Sequence, residues 1–407
     1  MKLSLFSTLR GYRKEYLPKD IFSGIIIAAV SIPISMGYAQ ISGIPAVYGL
    51  YGSVLPILLF ALFSTSRQFI FGVDAAPAAI VGGALSTLSI AAESEAAMDY
   101  VPAIALFAGL WLFIFFLLHA DKIVDFISTP VMGGFISGIA VTIILMQIPK
   151  LMGSPAGSGE LLELTEHIFA AAKNISWLSL FMGLGTLVLI RTFKKLAPKF
   201  PMAIVIMALG VLSTIVFHVD EKGVVLLQSV ERGLPSLMIP DFGNVDLTQA
   251  AGRGLMVAVV IMAETLLAEN TFAFRNDYKL NDRQEILACA AGNIAAAAVG
   301  CCPVNGSISR TSLNEQYGGK SQAVTAGITM ALILLFGTGF IGYLPVPVLT
   351  AIVISALMDV VETHLAVRLF KVSRTEFYIF MAAGFSVLCL GTIYGVIIGI
   401  LLSFVAV

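Results

Sequence analysis

The 407-residue sequence predicts an all-α membrane protein: fourteen transmembrane segments in a 7+7 inverted repeat, with two half-helices preceded by short strands. Three observations carry this. The chain is 58% hydrophobic and 12% charged, against about 25% charged in soluble domains. Apolar runs near the roughly 20 residues a span needs recur from end to end. Two of the segments, 75–91 and 305–316, are short and each follows a Gly/Pro-containing or β-branched extended piece.

Residues 1–19 read as a cytoplasmic lead-in. Lys2, Arg10, Arg13, Lys14 and Lys19 precede an apolar run too long, and without a cleavage site, to be a cleavable signal. The first seven segments are 20–42, 45–63, 75–91, 100–119, 123–148, 175–192 and 201–218. The second seven are 251–272, 284–300, 305–316, 320–340, 344–360, 375–391 and 393–407. The extended pieces are Arg67–Val73 and Ala297–Val304. Each half-helix begins about 50 residues after its half does, and matched interruptions of this kind point to a transporter built from repeats. Seven segments per half is odd, so the halves lie oppositely in the membrane.

Charge agrees with a cytoplasmic N-terminus. Lys194, Lys195 and Lys199, with Arg191 at the edge, mark one inner loop; Arg275, Lys279 and Arg283 a second; Arg368, Lys371 and Arg374 a third. The outer loop 92–99 carries Glu93, Glu95 and Asp99 and no Lys or Arg. Longer outer loops at 149–174 and 219–250 leave room for short surface helices. The last segment ends on the cytoplasmic side at Val407.

Net charge −1 argues against a nucleic-acid partner. Cys289, Cys301, Cys302 and Cys389 have no metal-binding spacing and read as packing residues, so no metal or cofactor is expected. No nucleophile–base pair suggests an enzyme.

The chemistry concentrates in Cys301–Asn314, polar and broken backbone between two apolar runs, tolerated at membrane depth only within protein or against a cavity. A half-helix start offers unpaired amides and about half a positive charge. Two such starts make an anion site with no formal charge. Asp74 fits a cap for the first, pointing away from any anion, with a substrate or cation ligand as the alternative, and Ala75 and Ala76 are small behind it; Asn305 or Ser307 fits a cap for the second. The expected contacts are the backbone amides of Ala75, Ala76, Gly306 and Ser307. Arg310 either contacts the ligand, tunes the cavity, or pairs with Glu264 or Glu269. Glu264, at mid-span, is a coupling carboxylate or a structural partner of Arg310 or of backbone amides; Glu269 reads as structural. In the first span Pro33 is expected to kink or unwind the helix, leaving Tyr38 and Gln40 to line the cavity or to pack.

These residues resemble the sulfate permease family of anion transporters. The matching stretches are Ile32–Ala39, Gly43–Tyr51, Phe63–Arg67, Ala263–Leu267, Gln284-Glu285 with Gly292-Asn293, and Gly306–Asn314 with Gly318-Gly319. The resemblance covers nearly the whole chain. It implies a uracil-permease-like fold in which a core domain (20–119 and 251–340) moves against a gate domain (123–218 and 344–407). It implies substrate between the starts of segments 3 and 10, a homodimer, and a cytoplasmic STAS domain that this sequence lacks. Ile34 stands where the family often has Gln, and Gly72-Val73-Asp74 where it often has Gly-Pro.

The expected function is proton-coupled symport of a small inorganic or organic anion, a dicarboxylate or sulfate, across a bacterial inner membrane. The alternatives are sodium-coupled bicarbonate transport, a nucleobase–proton symporter on the same fold, and a channel-like anion conductor. Ala268 and Ile308 supply no side-chain oxygen near Glu264, which leans the reading toward protons.

Overall fold

The computed structural model describes residues 5–7, 12–122, 129–157, 159, 161–197, 200–317 and 321–406. Lys2, Arg10, Lys199, Gly318, Gly319 and Val407 lie outside the described residues.

The first half runs α1 (Leu17–Ile41), α2 (Ala46–Tyr51), α3 (Leu55–Phe63), β1 (Phe71–Val73), α4 (Ala75–Thr87) and α5 (Glu95–Leu118). It continues with α6 (Thr129–Leu151), α7 (Leu161–Lys173), α8 (Trp177–Leu196) and α9 (Met202–Phe217). The second half runs α10 (Leu247–Arg275), α11 (Asp282–Ala298), β2 (Val304–Gly306), α12 (Ile308–Tyr317) and α13 (Gln322–Leu332). A π turn (Ile333–Gly337) and a 3-10 turn (Thr338–Tyr343) extend α13, and α14 (Val346–Val360), α15 (Thr363–Val372) and α16 (Arg374–Ala406) follow.

Eight helical stretches among the described residues are long and apolar enough to cross a membrane. At 1.5 Å per residue α4 reaches about 20 Å and α12 about 15 Å, short of a hydrocarbon core of about 30 Å. They are the two half-helices. Segment 2 is α2 and α3 together, and segments 13 and 14 share α16, which breaks at Gly391 (φ 83°, ψ 165°). A left-handed φ of that kind suits only glycine without strain. The loop 149–174 contains a surface helix, α7, whereas 219–250 has a 3-10 turn at Phe242–Asn244 ahead of the start of α10.

Several sequence expectations shift. α1 continues through Pro33 without interruption. The first strand starts at Phe71, leaving Arg67 exposed at the far end of a coil. The second strand lies later than Ala297–Val304. α11 runs on to Ala298, Gly300 turns the chain at φ 71°, and only then does β2 begin. Asn293 selects this register: its Nδ2 donates to Val304 O at 3.0 Å, and Val304 N donates to its Oδ1 at 2.9 Å.

The strands pair antiparallel, Phe71 with Gly306, Gly72 with Asn305 and Val73 with Val304. This ladder satisfies extended backbone where no water could. An isolated two-stranded pair is marginal; here α1, α3, α10 and α11 pack around it. α5 packs on α10 and α11, α11 on α3, and α13 on α1 and α3. Separately, α6 packs on α16, α14 and α7, and α14 on α8. Between these groups, α1 touches α14, and α4 touches α6 and α16.

Candidate anion site at the two helix starts

α4 and α12 begin at opposite ends of the two-stranded antiparallel ladder, one behind Val73 and the other behind Gly306. Their first-turn amides differ in what they meet. In α4, Ala78 N donates to Asp74 O at 3.3 Å, and Pro77 has no N–H. The Ala75 amide meets the Asp74 carboxylate, and the Ala76 amide has no acceptor among the described residues.

In α12 the expected amides are taken. Gly306 N donates to Thr265 Oγ1 at 3.2 Å, and Ser307 N donates to Ile70 O at 2.8 Å. Gly306 is in the ladder, not in the helix, so its N–H cannot be a free helix-start donor. Its small size serves packing: a Cβ there would lie 2.1 Å from Phe69 Cε1. The amides without acceptors among the described residues are one step further on, at Ile308, Ser309 and Arg310. Ile308 is 41% exposed, so this start opens onto accessible space.

Arg310 is fully buried. Its NH2 donates to Val73 O at 2.7 Å and lies 3.9 Å from Asp74 Oδ1. It pairs with neither Glu264 nor Glu269. Its Nε and NH1 have no acceptor among the described residues. Gly72 makes room for it, since a Cβ there would lie 3.1 Å from NH1. Asp74 therefore faces Arg310 and Ser307, where a simple cap pointing away from the site was expected.

The rest of the Ser-Arg-Thr stretch braces the other repeat. The Thr311 hydroxyl accepts from Ile70 N at 3.0 Å, and Asn314 Nδ2 donates to Gln68 O at 2.6 Å. With Arg310 on Val73 O, one helix face holds the approach to β1 along its length.

Glu264, buried on α10, accepts from Asn305 Nδ2 at 2.6 Å. Asn305 Oδ1 in turn accepts from the Thr265 hydroxyl at 2.5 Å. Asn305 is thus a ladder residue that orients Glu264 and does not cap α12. Sequence reasoning took Asn305 only as a cap and passed over Thr265, whose place next to Glu264 in the chain was the available signal. Tyr38, 2% exposed, lies within electrostatic range of Asp74, Glu264 and Arg310. Gln40 does not join them. It sits two residues on, about 200° around α1, and its Oε1 accepts from Lys150 Nζ at 2.9 Å. Glu269 is buried beside Glu285, which itself accepts from Ser64 Oγ at 2.7 Å, from Thr65 N at 2.6 Å and from the Thr65 hydroxyl. This second polar cluster is in the body of the α3–α10–α11 packing. Tyr278, just past α10, donates or accepts with Ser66 at 3.1 Å; burial first, then the nearby Glu269 and Glu285, pushes its phenol up to about 12.

Fourteen membrane segments in two inverted halves, with opposed half-helix starts on a shared ladder, define a multi-pass membrane transporter. The sulfate permease family matches residues 17–383. A "Probable sulfate transporter" of Mycobacterium tuberculosis is 26% identical over 97% of this chain and 70% of its own length. The chloroplastic sulfate transporter 4.1 of Arabidopsis thaliana is 30% identical over 97% of this chain and 59% of its own. The transmembrane domain of the cyanobacterium bicarbonate transporter BicA superposes with TM-score 0.83 at 20% identity, covering 97% of this chain and 98% of that one. The murine solute carrier 26 member A9 anion transporter superposes at 0.88 and 18% identity, covering 98% of this chain and 69% of that one. The chain belongs to the sulfate permease family; it is an anion transporter and not an enzyme.

Proposed function

We propose that this chain is a proton-coupled symporter of a small anion, of the sulfate or dicarboxylate class, working by alternating access. The observation that carries the reading is the pair of helix starts on one ladder, with open amides at Ala76, Ile308 and Ser309 and a buried guanidinium between them. Each start supplies about half a positive charge, and Arg310 a full one. Asp74 and Glu264, both ionised, would offset nearly all of it. A proton on Glu264 leaves the site with about one net positive charge, which favours an anion. Proton and anion then bind together for an electrostatic reason, and Asn305 holds the carboxylate that links them.

Tyr38 lines the site, and Ala75 and Ala76 let the anion approach the backbone; Gly306 and Ser307 position α12 without contacting it. The moving core is α1–α5 with α10–α13, and the gate is α6–α9 with α14–α16; the two packing groups support this division. We further propose a homodimer in a bacterial inner membrane, with both termini cytoplasmic. Sulfate is favoured by the names of the relatives.

A sodium-coupled bicarbonate carrier has one observation in its favour: Thr265 and Asn305 bring side-chain oxygens near Glu264. Both are already engaged, and Asn305 turns its N–H, not its oxygen, toward Glu264. A nucleobase symporter would want a carboxylate on α12, whose Glu315 instead pairs with Arg275 at 2.9 Å.

Counterflow in proteoliposomes with a panel of anions, with and without a pH gradient, tests the reading. Sulfate or a dicarboxylate should exchange, and an inward-acid gradient should drive its accumulation. Uptake of uracil with no anion would sink it, and accumulation driven by sodium alone would replace the coupling ion.

A further inference from the structure

Between the two packing groups, at the end of α4 away from its start, lies a cavity of about 760 Å³. It is bordered by α1 and α4 on one side and by α6 and α16 on the other. Its lining runs along α4 from Ala79, about one turn past the helix start, to Thr87 and on to Ala92. Nothing in the site described above uses it.

The cavity holds a cation with no ion pair among the described residues. Lys150, at the end of α6, has only the neutral Gln40 as partner there, using one of its three N–H donors. Glu93 is within electrostatic range and Glu163 is also on the lining, but neither pairs with the ammonium. One helical turn before Lys150, on the same face, Gln147 is 2% exposed and its Nε2 has no acceptor among the described residues. A buried amide donor left unpaired is unfavourable, so a group that accepts from it is expected. The helix run after the Gly391 break also starts at this cavity and contributes a partial positive charge. The C-terminal ends of α1, α4 and α6 also border the cavity and oppose these with partial negative charges, so the direct donors of Lys150 and Gln147, more than the net field, would hold an anion.

We propose that Lys150 and Gln147 form a second anion site, an entry station for small oxyanions or halides that feeds the helix-start site along α4. It rests on the anion reading proposed above. An arriving anion takes the free donors of Lys150 and the Nε2 of Gln147, and competes with Gln40 for the ammonium. Gln40 belongs to α1 and Lys150 to α6, so loss of that hydrogen bond also loosens the contact between the two packing groups at this face.

Crystals of the full chain soaked in selenate and, separately, in bromide test the proposal by anomalous scattering. A peak is expected within hydrogen-bond distance of Lys150 Nζ and Gln147 Nε2. It should vanish in Lys150→Met and persist in Lys150→Arg; Gln147→Leu, which keeps the charge, should weaken it. In proteoliposomes Lys150→Met should raise KM for the anion found by counterflow about tenfold with kcat unchanged, in the range focused charge contributes to capture, and Lys150→Arg should restore it. No peak at Lys150, a peak that survives Lys150→Met, or an unchanged KM overturns the entry station. A peak at the starts of α4 and α12 is a separate result: its absence would count against the main site and leave the Lys150 peak to be judged alone.

Discussion

The two half-helices have matching backbones and opposite chemistry. α4 starts behind an acid, Asp74, and then Ala75, Ala76 and Pro77; α12 starts behind Gly306 and Ser307 and carries Arg310. The α12 side does the bracing. Arg310, Thr311 and Asn314 hold Val73, Ile70 and Gln68 of the other repeat. From the α4 side, Asp74 at its start faces Ser307 and Arg310 in return. The repeat fold therefore sets where the two positive helix ends lie, and divergence between the repeats sets their formal charge. Asp74 and Arg310, one from each repeat, are the residues through which that difference is felt.

The largest expected effect comes from deleting the basic member. Arg310→Ala should abolish measurable anion binding and cost about 3–5 kcal/mol of stability, the usual penalty for leaving a buried charge without its partner. Thermal unfolding and equilibrium binding of labelled substrate measure the two. The double variant Asp74→Asn/Arg310→Ala should recover much of the stability and none of the binding; recovery of binding would mean that neither charge meets the anion.

Glu264→Gln should abolish proton-driven accumulation while anion exchange continues, because the neutral amide mimics the protonated carboxyl. Accumulation at the wild-type level removes Glu264 from coupling. Asn305→Ala should shift the pH dependence of uptake and cost about 1–3 kcal/mol, since Glu264 loses a charge-assisted bond.

The strand glycines compare the repeats directly. Gly306→Ala meets the rigid Phe69 ring and should destabilise by about 1–3 kcal/mol, whereas Gly72→Ala meets the end of a movable Arg310 side chain and should cost less. Equal losses, read by thermal unfolding, would show that the two strands are packed alike.

The smallest effect concerns the N-terminal end of α10, the helix that also carries Glu264. Asp246 caps it, accepting from Thr248 N at 3.0 Å and Gln249 N at 3.1 Å. The Gln249 amide above all holds its carboxyl below the ordinary range. Its contribution is present above the unfolded pKa and is lost as pH falls through the lowered folded value. Asp246→Ala should thus lower Tm slightly at pH 7 and have a smaller effect once pH has fallen through that lowered value, with the anion affinity untouched at both.

Much of this was legible along the chain. Hydropathy, segment count and the paired interruptions led to fourteen segments in two inverted halves, because spans and half-helices are determined by local apolarity and by where Gly and Pro break it. Ala75, Ala76, Tyr38, Glu264 and Arg310 stood out for a related reason: a polar or small residue inside an apolar run marks a cavity, a buried partner or a close backbone approach. Gln40 was misplaced because i and i+2 on a helix face different ways, and the side that Gln40 faces is set by α6. Gly306 and Ser307 were misjudged because a strand and a helix start meet there, and only the ladder register says which amides remain open.

Composition, periodicity and interruption by themselves determined the class of protein, the repeat and the neighbourhood of the candidate site, since each is a property of a few consecutive residues. Tertiary structure alone decided that Arg310 meets Asp74 and not Glu264, that Asn305 holds Glu264, and that Lys150 meets Gln40. Asn305 and Glu264 are 41 positions apart and Lys150 and Gln40 are 110, while Arg310 and Asp74 come from opposite repeats. Pairings over such separations are set by packing and strand register, which no local pattern encodes.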